Sequence, residues 1–276
     1  MSEHRTSSIA KNIFGNSLYQ IRARSALPIL VRQALASEKI SYGDLAKELD
    51  MPNARNLNWV LGSIGKTLLE LGEKWQEEIP PIQGIVVGQQ TGLPGDGVNF
   101  IIGKLDPRQK EAIVQEKLGS VFSYPRWLDV LEACELSPAK PLNPPEPPDH
   151  RSRTRESEAH KRFKNYIARY PEAVGLKKSL APGETEHKLP SGDIPDVLFQ
   201  SARCRIAVEV KSRISSEDDL RRGLFQCIKY RAILRACRSL EGGTYEADAL
   251  LAIEGSLPKE LIPVKNTLGV KVFEIK

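Results

Sequence analysis

The sequence predicts an α/β protein of two domains, a mostly helical winged helix-turn-helix domain followed by an α/β core built on a mixed central sheet. Three observations carry this expectation. A proline-rich run, Ser137 to Pro148, separates two unlike halves. Before it, apolar residues recur at helical spacing in short runs parted by tight breaks. After it, alternating runs at Val197–Phe199 and Arg205–Lys211 read as strands, a long helix from about Glu217 to Leu240 and an apolar strand, Ala247–Ile253, follow, and Leu257–Val264 and Val270–Ile275 add a short helix and a closing strand. The expected domains are 1–136 and 156–276, joined by a Pro/Arg-rich linker, 137–155.

Composition narrows the classes. With 276 residues, 40% of them hydrophobic, the chain can bury a core and fits two domains better than one. A net charge of +5 favours a polyanionic partner only mildly. The four cysteines, Cys134, Cys204, Cys227 and Cys237, form no C-x-x-C pair and sit in apolar patterns, which argues against a zinc site or a disulfide framework and for buried thiols in a reducing compartment. No apolar run is long enough to span a bilayer, and the polar start, Met1 to Ser8, lacks the apolar core of a signal peptide. A cytoplasmic protein with no membrane partner is expected.

The first half opens with a polar arm and a helical pattern, Ala26 to Leu35. Ser41 can cap a second helix that carries Leu45, Ala46 and Leu49 inward. A break at Pro52-Asn53 precedes a longer helix from about Ala54 to Leu71. Two helices joined by a tight turn behind a support helix describe a helix-turn-helix, whose second helix is the one offered to a DNA groove. Trp59 and Trp75, at helical positions, read as core. The loop Thr91 to Gly97 has the glycines and proline of a wing, or simply of a tight turn. From Pro107 to Cys134 two more helical patterns follow, with Trp127, Leu128, Val130 and Leu131 as a buried face.

The stretches Ile40-Ser-Tyr42-Gly-Asp-Leu-Ala, Asn53-Ala-Arg55-Asn56-Leu-Asn58-Trp and Ile79-Pro-Pro-Ile-Gln83 resemble the DNA-binding domain of alkylguanine-DNA alkyltransferases and alkyltransferase-like proteins. The resemblance implies that Tyr42 contacts a phosphate, that Arg55 enters the base stack when a base is flipped, and that Asn56 and Asn58 lie in the same DNA-binding stretch. The family's acceptor cysteine stands in an Ile-Pro-Cys-His-Arg run, where this chain has Pro81. Without a thiolate there is no nucleophile for alkyl transfer, so a DNA-binding module remains, one that can sense a modified or damaged base if it flips.

The linker is too proline-rich for a helix or a central strand and reads as an extended, semi-rigid spacer. It continues into Arg151, Arg153 and Arg155, which read as a solvated hinge or as contacts tracking a DNA backbone.

The second half begins with a helix from about Glu156 to Tyr170, with Phe163, Tyr166 and Ile167 as its inward stripe and Glu158 paired to Arg162. An extended stretch near His187 to Leu189 precedes two strands. Alternation puts Glu209 and Lys211 on one strand face and Val208 and Val210 on the other. A hairpin turning at about Gln200 to Cys204 brings Asp196 next to Glu209. Two carboxylates beside an ammonium suit a hard divalent cation bound by oxygen. Pro195-Asp196, then twelve residues, then Glu209-Val210-Lys211 resembles the PD-(D/E)xK nuclease superfamily, whose restriction-endonuclease-like core runs helix, three strands, helix, strand.

That resemblance implies a Mg²⁺-dependent endonuclease, with Mn²⁺ as a substitute, that leaves a 5′-phosphate. Asp196, Glu209 and the Val210 carbonyl are the expected metal ligands, with Asp193 the alternative to Asp196. Lys211 orients the attacking water or stabilises developing charge. The superfamily often adds a glutamate from the first helix, here Glu158 with Glu156 its rival, and in several branches a glutamine and a tyrosine, here Gln226 and Tyr230. His160 reads as a packing or orienting residue. Arg221 and Arg222 read as a solvated face, with phosphate contact as the other use. The expected partner is double-stranded DNA in restriction, antiviral defence or repair. A homodimer would let a single-site enzyme cut both strands, though no stretch identifies its interface. Two other functions stay open: an inactive DNA-binding adaptor, and an effector nuclease that cuts RNA and binds a protein through its first domain.

Overall fold

The computed structural model describes residues 10–95, 116–142, 144, 145 and 157–276. The expectations for Arg151, Arg153, Arg155 and Glu156, for the tip of the 91–97 loop, for the first part of the helical patterns after Pro107 and for most of the linker lie outside these residues. Two compact units divide the chain, Met1–Pro141 and Leu142–Lys276, so the boundary falls within the proline-rich run. Among the described residues no helix is long and apolar enough to cross a membrane.

The first unit is mostly helical. Helix α1 (Leu18–Leu35) is followed by β1 (Ile40–Ser41), α2 (Tyr42–Glu48) and α3 (Leu57–Trp75), then by a 3-10 turn (Ile82–Ile85) and β2 (Val86–Val87). A helical stretch over 116–123 and α4 (Trp127–Ala133) complete it. Strands β1 and β2 pair in parallel, Ile40 against Val86. Helix α1 starts eight residues before the expected Ala26 and runs through Pro28. A proline inside a helix costs about 3 kcal/mol, but Ala23, Ala26, Leu27 and Leu30 are fully buried here, and each buried leucine offsets about 2 kcal/mol.

Ser41 caps α2 as expected, its Oγ accepting the Asp44 amide at 3.0 Å. Arg32 of α1 grips Glu48 of α2 through two bonds of 2.6 and 3.0 Å, which fixes the short helix on its support. Helix α3 buries Leu57, Val60, Leu61, Ile64, Leu68 and Leu71, a stripe at three- and four-residue spacing. Two apolar assignments need correction. Trp59 and Trp75 are half-buried rather than core, Trp59 against Tyr19 and Trp75 beneath the Arg126 guanidinium at 4.2 Å. On α4, Trp127, Val130 and Leu131 are buried while Leu128 faces solvent, because a seven-residue helix presents only one side to its core.

The second unit is a four-stranded sheet between helices. Its elements are α5 (Glu158–Arg169), a 3-10 turn (Pro171–Val174), β3 (Val197–Gln200), β4 (Cys204–Lys211), α6 (Glu217–Leu240), β5 (Glu246–Glu254), a second 3-10 turn (Lys259–Leu261), α7 (Ile262–Thr267) and β6 (Lys271–Ile275). The order is β3-β4-β5-β6, with β3 antiparallel to β4 and the other pairs parallel, so the sheet is mixed. Phe163 and Ile167 of α5 cover one face with Val197, Phe199, Val208 and Val210. Leu220, Leu224 and Leu234 of α6 cover the other with Leu198, Ala207 and Leu251.

Several expectations change in this unit. The strand foreseen at His187–Leu189 is absent among the described residues, and a single bridge, Glu184 to Leu198, lies there instead along β3. Pro190 and Gly192, the latter at φ +88°, turn the chain, and the Leu189 amide is spent on the Asp193 carbonyl at 2.8 Å. Tyr166 points outward, and Glu158 pairs with Lys161 rather than Arg162. All four cysteines are free, but only Cys134 and Cys227 are buried, Cys204 and Cys237 being half-exposed near the strand and helix ends.

Candidate functional site

The hairpin places the acidic cluster. Val197 pairs with Val208, so one residue further Asp196 stands opposite Glu209, just past the end of β3. There the ladder stops, and the Asp196 carboxylate takes over: its Oδ2 accepts the Val210 amide at 2.8 Å. In an extended strand a residue's carbonyl leaves on the same side as its amide, so the Val210 oxygen also faces the gap that Asp196 borders. The other oxygen, Oδ1, lies 3.1 Å from His160 Nε2 at the head of α5. Ser157 caps that helix through the His160 amide at 3.1 Å, which sets where the imidazole starts.

Glu209 is 4% exposed and spends both oxygens within the fold. Lys211 Nζ donates to Oε1 at 2.6 Å, and the Tyr230 hydroxyl of α6 reaches Oε2 at 3.3 Å. Burial pushes the Glu209 carboxyl from its ordinary 4.5 to about 7; Lys211 opposes the rise and the Asp196 charge adds to it. Burial also works against the Lys211 ammonium, whose side chain is 16% exposed, but Glu209 more than offsets this and the net shift is upward. Burial and the same glutamate keep the Tyr230 phenol and the Cys227 thiol protonated, which leaves no thiolate nucleophile at this centre.

Lys211 reaches Glu209 across a bare spot on α6. A Cβ placed on Gly223 would stand 3.0 Å from Lys211 Cε and 3.0 Å from Leu251 Cδ1. A glycine inside a helix costs roughly 1 kcal/mol relative to alanine, and its use here is explained by that crossing.

The sequence-predicted residues sort clearly. Asp196, Glu209, Lys211 and Tyr230 come together, and His160 joins them as an orienting partner. Asp193 is engaged elsewhere, with Lys229 Nζ at 2.6 Å and Ser191 Oγ at 2.7 Å, contacts that hold its carboxyl below the usual range. Glu158 is 82% exposed and bound to Lys161 at 3.3 Å, so the structure does not bring it to the cluster. Gln226 is half-buried one turn before Tyr230, and Arg221 and Arg222 are paired with Glu217 and Asp219 of their own helix.

Among the described residues no three His, Cys, Asp or Glu side chains are gathered as a metal cluster. The donor set at this strand end is instead two carboxylates and a main-chain carbonyl. That set fits Mg²⁺, which keeps several waters and is commonly bound by one or two carboxylates plus substrate phosphate.

In the first unit, Arg55, Asn56 and Asn58 are exposed at the start of α3, where the Arg55 amide is held by Asn53 Oδ1 at 3.0 Å. Tyr42 is half-buried, and its hydroxyl accepts the Gly95 amide at 3.0 Å, pinning the loop that follows β2. Gly92, at φ +62°, closes the tight turn in that loop. Pro81 precedes the buried Ile82 and Gln83, and burial lifts the unit's single cysteine, Cys134, to about 11. Burial therefore keeps Cys134 a thiol rather than an alkyl-accepting thiolate. No protein-family model, curated protein or solved structure matches the chain.

Proposed function

We propose that the chain is a Mg²⁺-dependent DNA endonuclease of restriction, defence or repair type, with the first unit as its DNA-binding module and a possible reader of modified bases. One observation carries this: the Asp196 carboxylate, held by the Val210 amide, and the Glu209–Lys211 pair share the end of one hairpin. Asp196, Glu209 and the Val210 carbonyl would hold the cation. When bound, such an ion polarises a phosphoryl oxygen and makes a water nucleophilic near neutral pH. Mn²⁺, equally oxygen-seeking, would substitute.

The chain's own groups have distinct tasks. Tyr230 and Lys211 fix the Glu209 carboxylate from two sides, and His160 with the Val210 amide fixes Asp196. Lys211, buried and charged, stands ready to donate to the attacking water or to the phosphorane-like charge that develops in line. Exposed Arg55, Asn56 and Asn58 at a helix start suit phosphate and base-edge contacts, and Tyr42, which holds the loop after β2, is the proposed phosphate contact beside them.

Incubating the full chain with end-labelled duplex DNA and Mg²⁺ tests the reading. The expected result is internal cutting that leaves 5′-phosphates, with Arg55→Ala raising the DNA concentration needed for half-maximal rate. Folded protein that binds the duplex and never cuts it, with Mg²⁺ or Mn²⁺, would overturn it.

A further inference from the structure

Helix α5 carries an outward face that its role as a lid on the sheet does not explain. Phe163 and Ile167 bury themselves, yet Tyr166 and Tyr170 are 43% and 41% exposed, with ring centroids 5.0 Å apart. Arg162 and Arg169 are exposed on the same helix, and among the described residues neither meets a carboxylate. Arg162 and Tyr166 lie one turn apart on α5, and Tyr170, which caps its C-terminus, continues the row through its ring contact with Tyr166. The single acid on this helix, Glu158, is matched by Lys161, which leaves the two arginines as the net charge of the face.

The row begins at the candidate centre. His160, two residues before Arg162, lies 3.1 Å from Asp196 Oδ1. Ten residues on, Tyr170 is about 15 Å further along the helix axis. We propose that this face is a track for single-stranded DNA, a tail adjoining the scissile phosphate whose bases stack on Tyr166 and Tyr170 and whose phosphates meet Arg162 and Arg169. The assignment rests on the nuclease reading and narrows its substrate to DNA with an unpaired tail beside the cut. Paired bases hide their faces in the stack, whereas unpaired ones present them, and exposed aromatics interleaved with cations are what such a strand needs. A duplex alone would use the arginines and leave the rings idle.

The test is binding of the full chain, in EDTA so that nothing is cut, to a blunt duplex and to the same duplex with a single-stranded DNA tail at either end. The tail is expected to tighten binding about tenfold for each base stacked. Tyr166→Ala with Tyr170→Ala should remove that gain and leave blunt-duplex binding unchanged, while the two phenylalanine variants keep it, since a ring and not a hydroxyl is required. Both tyrosines are exposed, so the variants should fold, and an unchanged unfolding midpoint checks this. Equal affinity of the wild type for tailed and blunt DNA, or an unaltered gain in the double alanine variant, would overturn the proposal, and tighter binding of an RNA tail would overturn its assignment to DNA. Cleavage of duplex with no tyrosine-dependent tail binding would refute this track and spare the nuclease. Tyrosine-dependent tail binding without any cleavage would do the reverse.

Discussion

Glu209 concentrates the tension of the second unit, because a carboxylate that is almost fully buried must be held by Lys211 and Tyr230 or else keep its proton. Its pKa stands above the ordinary value in the fold, so between about 4.5 and 7 the folded chain holds a proton that the unfolded chain has released. The resulting stability is full below that window and is lost as pH rises through it, by about 3 kcal/mol. In EDTA, urea unfolding should therefore show the wild type losing that much between pH 4.5 and 8 relative to Glu209→Gln. Parallel pH dependences of the two proteins would contradict it. The pairing of Glu209 with Lys211 was legible in the sequence, because strand alternation alone puts residues two apart on one face. The engagement of Asp193 by Lys229 was not, since the two lie 36 positions apart and meet only once α6 is laid on the sheet.

Among the elements, α6 was the most readable: the expected segment, from about Glu217 to Leu240, matches its observed span. Ser216 explains the sharp start, its Oγ accepting the Asp219 amide at 3.2 Å while Asp219 Oδ2 takes the Ser216 amide at 3.1 Å. Ser216→Ala should lower stability by about 1 kcal/mol, read as a drop in the urea midpoint with unchanged slope. A neutral outcome would mean that tertiary contacts alone set the helix start. Helix α5 was readable in extent but not in facing. Tyr166 looked apolar and was assigned inward with Phe163 and Ile167, yet Phe163 and Ile167 already fill the sheet face and the ring turns out beside Tyr170. Helix α1 was expected only from Ala26, a start that leaves Pro28 in the first turn, where proline is tolerated; it begins instead at Leu18 and carries Pro28 in its interior.

At the scale of the molecule, the two-part division was visible in the proline-rich run, and the mixed character of the sheet followed from the alternation of strand and helix patterns, but the extended stretch near His187–Leu189 adds no strand, which leaves four among the described residues. What sequence could not supply was the closing of the acidic cluster: the His160 approach to Asp196 depends on where α5 crosses the sheet, and the loss of Glu158 from it depends on the same crossing. We propose this cluster as the centre that hydrolyses phosphodiester bonds with the help of a divalent cation. Its most direct test is the rate of plasmid cleavage by the wild type and by Lys211→Ala at matched concentration, with Mg²⁺ and with EDTA. Cutting by the wild type in Mg²⁺ alone is expected, with a rate at least about a hundredfold lower in the variant. Equal cutting by both proteins, or cutting that persists in EDTA, would contradict it.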